Sequence, residues 1–102
     1  RSAANTFSMN CDHVMFTGHA VQRMFERRIQ KEQIRDLLQS GEVIAEYPND
    51  VPLPSSLLLG FLGDRPIHIV VAFDDPTKTC HIVTVYEPDP GQWSDDFRTR
   101  RS

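Results

Sequence analysis

A histidine and two arginines are spaced so that a helix would place them in one stripe. His19, Arg23 and Arg27 follow one another at four-residue intervals. A helix turns by about 100° per residue, so the three side chains fall within about 80° of one another. Arginine forks bind phosphate oxygens, and histidine titrates near neutral pH. The spacing predicts a phosphate-binding surface, although the same residues could instead form a solvated helix face or pair with carboxylates.

The sequence around this stripe predicts a helical hairpin. The first helix runs from Gly18 to about Arg27, and Arg28 turns the chain because a continued helix would point it into the core. The second helix begins near residue 30 or 31. It stops at Gly41, since glycine accepts the left-handed conformation that follows many helices.

Four strands are predicted after the second helix, at 42–47, 56–62, 66–73 and 79–87. Their short connections make neighbouring strands antiparallel. We therefore expect an α+β fold in which the N-terminal helical hairpin packs on a three- to four-stranded antiparallel sheet. Two aromatic residues near the C-terminus, Trp93 and Phe97, could pin the last segment back onto the domain.

The composition predicts one small folded domain. With 102 residues the chain holds a single domain, which we place at 16–101, after a poorly ordered segment over 1–15. The net charge is −3, yet five of the 11 basic residues lie between Arg23 and Arg35. A local basic region on an acidic protein favours a specific anionic ligand over general nucleic-acid binding. Since no apolar run is long enough to span a membrane and no signal peptide is evident, we expect a cytoplasmic protein.

The two cysteines give no disulfide or zinc pattern. Their spacing suggests no disulfide framework, so we expect reduced thiols and a Cys80 that acts as a small buried hydrophobe. A metal site is an alternative, but the spacings match no standard zinc site, and we expect neither a metal nor a cofactor. The side chains available for such a site are Cys11, His13, His19, Cys80 and His81.

Several motifs in the chain resemble those of a known family. G-H-A-x-x-R-M-x-E-R-x-I spans Gly18 to Ile29, and R-P-I-H-I-V-V-A spans Arg65 to Ala72. T-V-Y-E-P-D-P then begins at Thr84. Over about residues 16–101 the chain resembles a family of small bacterial proteins of unknown function that is similar to RelE-like and MqsR-like toxins.

This resemblance implies a RelE-like toxin fold and a metal-independent endoribonuclease that cleaves messenger RNA, free or on the ribosome. It also implies a partner, a zinc-finger, helix-turn-helix antitoxin. RNA cleavage needs a base, an acid and a cation for the phosphate. The predicted catalytic residues are His19, Arg23, His68 and Tyr86. The predicted RNA-binding residues are Arg27, Arg28, Lys31, Arg100 and Arg101.

Other interpretations stay open. His68 could be an ordinary half-buried strand histidine, and Tyr86 a core residue. The whole domain could be a non-enzymatic interaction module whose basic stripe binds an acidic segment of an antitoxin-like partner, or whose sheet edge accepts a strand. Binding of DNA by the hairpin is less favoured because no recognition helix is evident.

Overall fold

The computed structural model describes residues 11–101, which form two short helices and five strands. The elements are β1 (His13–Phe16), α1 (Gly18–Arg27), α2 (Lys31–Ser40), β2 (Glu42–Tyr47), β3 (Ser55–Leu62), β4 (Arg65–Asp74) and β5 (Thr79–Tyr86). The predicted helices and the four later strands are confirmed, with ends shifted by at most one residue.

The predicted fold class is wrong because the sheet is larger and of mixed direction. Its strand order is β1-β5-β4-β3-β2. β1 pairs with β5 in parallel, whereas the other neighbours are antiparallel. The domain is therefore mostly β, and it is not a helical hairpin on a three- to four-stranded antiparallel sheet. β1 has only four residues, a pattern too short to predict a strand. Its first three residues lie in the segment expected to be poorly ordered.

A disulfide joins the start of this edge to β5, so the prediction of two reduced thiols is also wrong. Cys11 and Cys80 form the bond, with their Cα atoms 5.6 Å apart. The parallel register sets Val14 beside Cys80, which brings Cys11 within reach. Backbone N–H groups of Asp12 and His13 donate to the carbonyl of Lys78 and hold the approach to β1 in place.

The two helices end where the sequence predicts, although one of them ends for a different reason. Arg28 takes a left-handed conformation (φ 59°) and turns the chain after α1, which costs a non-glycine residue about 1 kcal/mol. Gly41 is extended (φ −75°), not left-handed. A Cβ on Gly41 would lie 2.6 Å from the carbonyl oxygen of Leu37, so glycine is needed there for close approach.

The two faces of the sheet are covered differently. On the helix face, Ile67, Ile69 and Val71 of β4 join the buried side chains of both helices in one apolar core. Because strand side chains alternate, His68 and Val70 point to the opposite face. We call this the tail face, since the segment from 88 to 101, the tail, packs on part of it through the buried Trp93.

Candidate functional site

The first helix is fixed at its start by one hydroxyl. The Oγ1 of Thr17 accepts from the backbone N–H of Ala20 at 3.0 Å, as an N-cap does, and donates to the carbonyl of Val83 at 2.9 Å. This second bond ties the beginning of α1 to β5. His19 follows two residues later and is exposed.

The arginines of the stripe are paired with carboxylates. Arg23 Nη1 lies 3.3 Å from Glu26 Oε1, and Arg27 Nη1 lies 3.9 Å from Glu87 Oε1. Arg65 Nε donates to the other oxygen of Glu87 at 2.9 Å. All of these side chains are partly exposed, so each pair contributes little to stability. The pairs reduce the net positive charge that the stripe offers to a phosphate.

Two other predicted RNA-binding residues lie beyond the end of α1. Arg28 is exposed at the turn between the helices. Lys31 Nζ lies 5.3 Å from the centre of the Phe16 ring, and Arg35 lies over the same ring at 5.9 Å. Both are cation–π contacts, so Lys31 stabilises the end of β1 whether or not it binds a ligand.

A different group of predicted residues meets on the tail face. The imidazole of His68 is fully buried, and its Nδ1 lies 3.2 Å from the hydroxyl of Tyr86. Its Nε2 lies 2.9 Å from the backbone carbonyl of Phe97 in the tail. A carbonyl only accepts, so Nε2 carries the proton and donates to it. Nδ1 of the neutral ring is left to accept from the Tyr86 hydroxyl.

Trp93 and Arg100 complete what we call the His68 cluster, which consists of His68, Tyr86, Trp93 and Arg100. The Trp93 ring meets the imidazole edge to face, with centres 4.4 Å apart. The tail folds back so that the backbones of Arg100 and Trp93 form an antiparallel β-bridge. The guanidinium of Arg100 lies 5.6 Å from the centre of the Trp93 ring. The cluster combines an acid–base pair, a cation and an aromatic surface.

Burial controls protonation in this cluster. It lowers the pKa of His68, opposed by the hydrogen bond to the Phe97 carbonyl, so the imidazole is neutral at pH 7. Burial also raises the pKa of Tyr86, with a further rise from Tyr47 and an opposing effect of the Arg100 charge. The resting pair is therefore a protonated phenol beside a neutral imidazole that can accept its proton.

Arg100 differs from the other tail arginines. Arg98 pairs with Glu42 and Asp96, and Arg101 pairs with Asp95. Arg100 has no carboxylate within ion-pair distance among residues 11–101. It is the tail cation whose charge is available to an anionic ligand.

The family model described as "Domain of unknown function (DUF4258)" matches residues 16–87. The chain belongs to the DUF4258 family. The expected membership of an uncharacterised family is thus confirmed, while nothing in the comparisons links the DUF4258 domain to RelE-like or MqsR-like toxins. No curated protein and no solved structure matches the chain.

The DUF4258 match divides the predicted site residues. It includes the stripe, His68 and Tyr86, and it ends before Trp93 and Arg100. The structure brings His68 and Tyr86 together, and Arg27 close to Glu87. Between residues 11 and 101, no hydrogen bond or ion pair joins the stripe to the His68 cluster. Of the four predicted catalytic residues, His68 and Tyr86 are in direct contact, whereas His19 and Arg23 lie on α1 with no direct polar contact to that pair.

Two features of the structure, both involving the tail, could not be found by sequence reasoning. The Phe97 carbonyl orients His68, but a backbone atom leaves no signal in residue type. Trp93 was predicted only to anchor the tail, and its contact with His68 depends on the path of the tail. Over the described part of the chain there is no cluster of three metal-ligating side chains and no helix able to cross a membrane.

Proposed function

We propose that this DUF4258 protein cleaves RNA as the toxin of a toxin–antitoxin system, and that the His68 cluster is its cleavage centre. The observation that carries the proposal is the Tyr86 hydroxyl 3.2 Å from His68 Nδ1, with the opposite ring nitrogen held by the Phe97 carbonyl. An oriented histidine beside a hydroxyl is the arrangement by which proteins move a proton. The toxin role and the zinc-finger antitoxin partner rest on the sequence motifs.

The protons can be followed through this pair. The 2′-hydroxyl of a bound ribose gives its proton to the Tyr86 oxygen while the Tyr86 proton passes to His68 Nδ1. The 2′-oxygen then attacks phosphorus, and the bond from phosphorus to the 5′-oxygen breaks. That 5′-oxygen takes a proton from a water molecule, and the resulting hydroxide takes a proton from Tyr86, which recovers its own from His68 Nδ1. The products are a 2′,3′-cyclic phosphate and a 5′-hydroxyl, and the pair returns to its resting state. Of this pair only Tyr86 touches the substrate, because His68 is fully buried.

Arg100 and Trp93 support the same reaction. The guanidinium of Arg100 lies 5.6 Å from the centre of the Trp93 ring. In this proposal it stabilises the extra negative charge of the phosphate in the transition state. Its charge also favours the phenolate form of Tyr86. Trp93 holds the imidazole in place and, through Arg100, fixes the position of the cation.

The test is cleavage of a single-stranded RNA oligonucleotide of mixed sequence by the purified chain. We expect Tyr86→Phe, which keeps the ring and removes the hydroxyl, to lower the rate by about 100-fold or more. Ser40→Ala is the control, since it removes an exposed hydroxyl from α2 that bonds only to the Asp36 carbonyl. Denaturation midpoints of both variants separate lost chemistry from lost folding.

His19→Ala and Arg23→Ala decide between the two groups of predicted catalytic residues. Loss of cleavage in these variants, with Tyr86→Phe still active, would move the centre to the stripe. Intact RNA with folded wild-type protein would contradict the nuclease proposal itself.

A non-enzymatic interaction module is the second candidate, and one observation favours it. Phe25 of α1 is 86% exposed, and Val21, one turn earlier, is also exposed. Adjacent exposed apolar side chains are typical of protein contact surfaces. If wild-type protein leaves RNA intact, this surface of α1 is the better supported functional site.

A further inference from the structure

A cavity opens on the tail face between β4, β5 and the connection from β2 to β3. It has a volume of about 390 Å³, which falls at the small end of the usual range for ligand pockets, about 300–1,000 Å³. We call it the loop pocket, because the connection between β2 and β3 forms one wall. The lining residues that matter here are Asp50, Ser55, Val70, Ala72, His81 and Val83.

The loop pocket is near enough to the cluster to take part of the same ligand. Val70 follows His68 by two residues on β4, so the two side chains share a face and lie about 7 Å apart along the strand. The tail contributes no residue to the lining of this pocket. A nucleotide next to the phosphate held at Tyr86 can therefore place its base there.

The wall of the loop pocket is held in place. The backbone N–H of Asp50 donates to the Tyr47 carbonyl at 3.2 Å, and the backbone N–H of Phe73 donates to the Pro54 carbonyl at 3.1 Å. The buried Ser55 hydroxyl donates to Asp50 Oδ2 at 2.6 Å. These bonds orient the Asp50 carboxylate before any ligand arrives.

The chemistry of the pocket matches a nucleobase. Val70, Ala72 and Val83 give an apolar floor and sides for a flat ring, while Asp50 and His81 are the groups that can meet its polar edge. A carboxylate only accepts hydrogen bonds. Guanine presents two adjacent N–H donors on its pairing edge, whereas adenine, cytosine and uracil each set acceptors beside their donor.

We propose that the loop pocket binds the guanine base of the nucleotide adjacent to the cleaved phosphate, with Asp50 accepting from its N1–H and exocyclic amine. This inference rests on the proposed RNA cleavage for its biological meaning. The binding itself needs no cleavage and is measured separately.

The experiment titrates guanosine 3′-monophosphate into the isotope-labelled full chain and follows backbone amide shifts. We expect shifts at Asp50, His81 and Val83, and binding at least ten-fold tighter than that of the adenosine, cytidine and uridine 3′-monophosphates. Asp50→Asn keeps an acceptor for Ser55 and should weaken guanosine binding ten-fold or more. Asp64→Asn, in the exposed turn between β3 and β4, is the matched control and should bind normally.

A second variant tests the cavity independently of the carboxylate. Ala72→Leu adds bulk to the floor of the loop pocket and should abolish the shifts for every nucleotide, provided that its spectrum remains that of a folded protein. Equal affinity for the four nucleotides, or unchanged binding in Asp50→Asn, would overturn the guanine assignment. Guanosine binding without RNA cleavage would leave this pocket standing and remove the nuclease, whereas cleavage without guanosine binding would do the reverse.

Discussion

The two faces of the sheet keep their polar groups in opposite places. On the helix face the interior is apolar, and the charged residues of the stripe lie outside, where Arg23 and Arg27 meet Glu26 and Glu87. On the tail face a histidine is fully buried, and both of its ring nitrogens have a polar partner. The titratable side chains of the stripe are thus exposed to water, whereas His68 on the tail face is shielded from it.

The two faces therefore differ in how strongly the protein controls its titratable side chains. An exposed arginine beside a carboxylate is screened by solvent, and its pairing is worth only about 0–1 kcal/mol. A buried imidazole with two oriented hydrogen bonds has a fixed tautomer and an altered affinity for protons. Regular spacing in sequence identified the stripe, but the preorganised pair is on the other face.

Reducing the disulfide on the helix face should lower the free energy of unfolding more than any other change considered. The disulfide between Cys11 and Cys80 closes a loop with a sequence separation of 69. In the chain-entropy treatment, a loop of that size stabilises the folded state by about 4 kcal/mol. Urea denaturation of the wild type, with and without reductant, should show a loss of that order.

Cys11→Ser is the control for the disulfide, because it should already be destabilised and should not respond to reductant. Amide exchange should report the loss mainly in β1 and its neighbour β5, with less change at Trp93. Wild-type midpoints that coincide in oxidising and reducing buffer would show that the helix face does not depend on this tie.

Much of the fold could be predicted because its signals are local. The apolar period of α2, the turn at Arg28 and the apolar runs of β3, β4 and β5 each depend on residues close in sequence. The apolar pattern of α1 is a poorer guide, since its Val21 and Phe25 are exposed. β1 depends instead on a partner more than 60 residues away, and four residues of strand carry too little pattern to show it. The disulfide follows from the same pairing and was hidden for the same reason.

The candidate site was predictable only in part. The alternation of β4 showed that His68 points away from Ile67 and Ile69, and its residue type made it a candidate. What no pattern could show is that Tyr86 lies opposite it in the register, or that the Phe97 carbonyl meets its other nitrogen. Histidine spacing in the first helix suggested one catalytic group, but assembly of a site depends on strand pairing and on the path of the tail.

Two aromatic substitutions sharpen the contrast between the faces. Trp93 is 7% exposed and covers His68, whereas Phe25 on α1 is almost fully exposed. We expect Trp93→Ala to lower the free energy of unfolding by about 3 kcal/mol or more, because a large cavity opens over the buried imidazole. Phe25→Ala should change it by less than about 0.5 kcal/mol. Chemical denaturation of both variants under one set of conditions makes the comparison, and equally small effects would mean that the tail is not part of the cooperative unit.

The smallest effect we expect is a pH dependence of the free energy of unfolding, caused by the lowered pKa of His68. Burial lowers its pKa from the ordinary value of 6.5, so below about pH 6.5 the unfolded chain binds a proton at this position that the folded chain does not. The free energy of unfolding should therefore fall as the pH drops from 7.5 to 5.5, and this contribution should be constant above pH 7.5. His68→Gln keeps polar atoms at the position but cannot titrate, so the difference in midpoint between wild type and variant isolates His68 from the other histidines.

The tail is what keeps water from the ring, through Trp93 and the Phe97 carbonyl. A difference that stays the same across this pH range would mean that His68 titrates as it does in water, and that the tail face opens in solution.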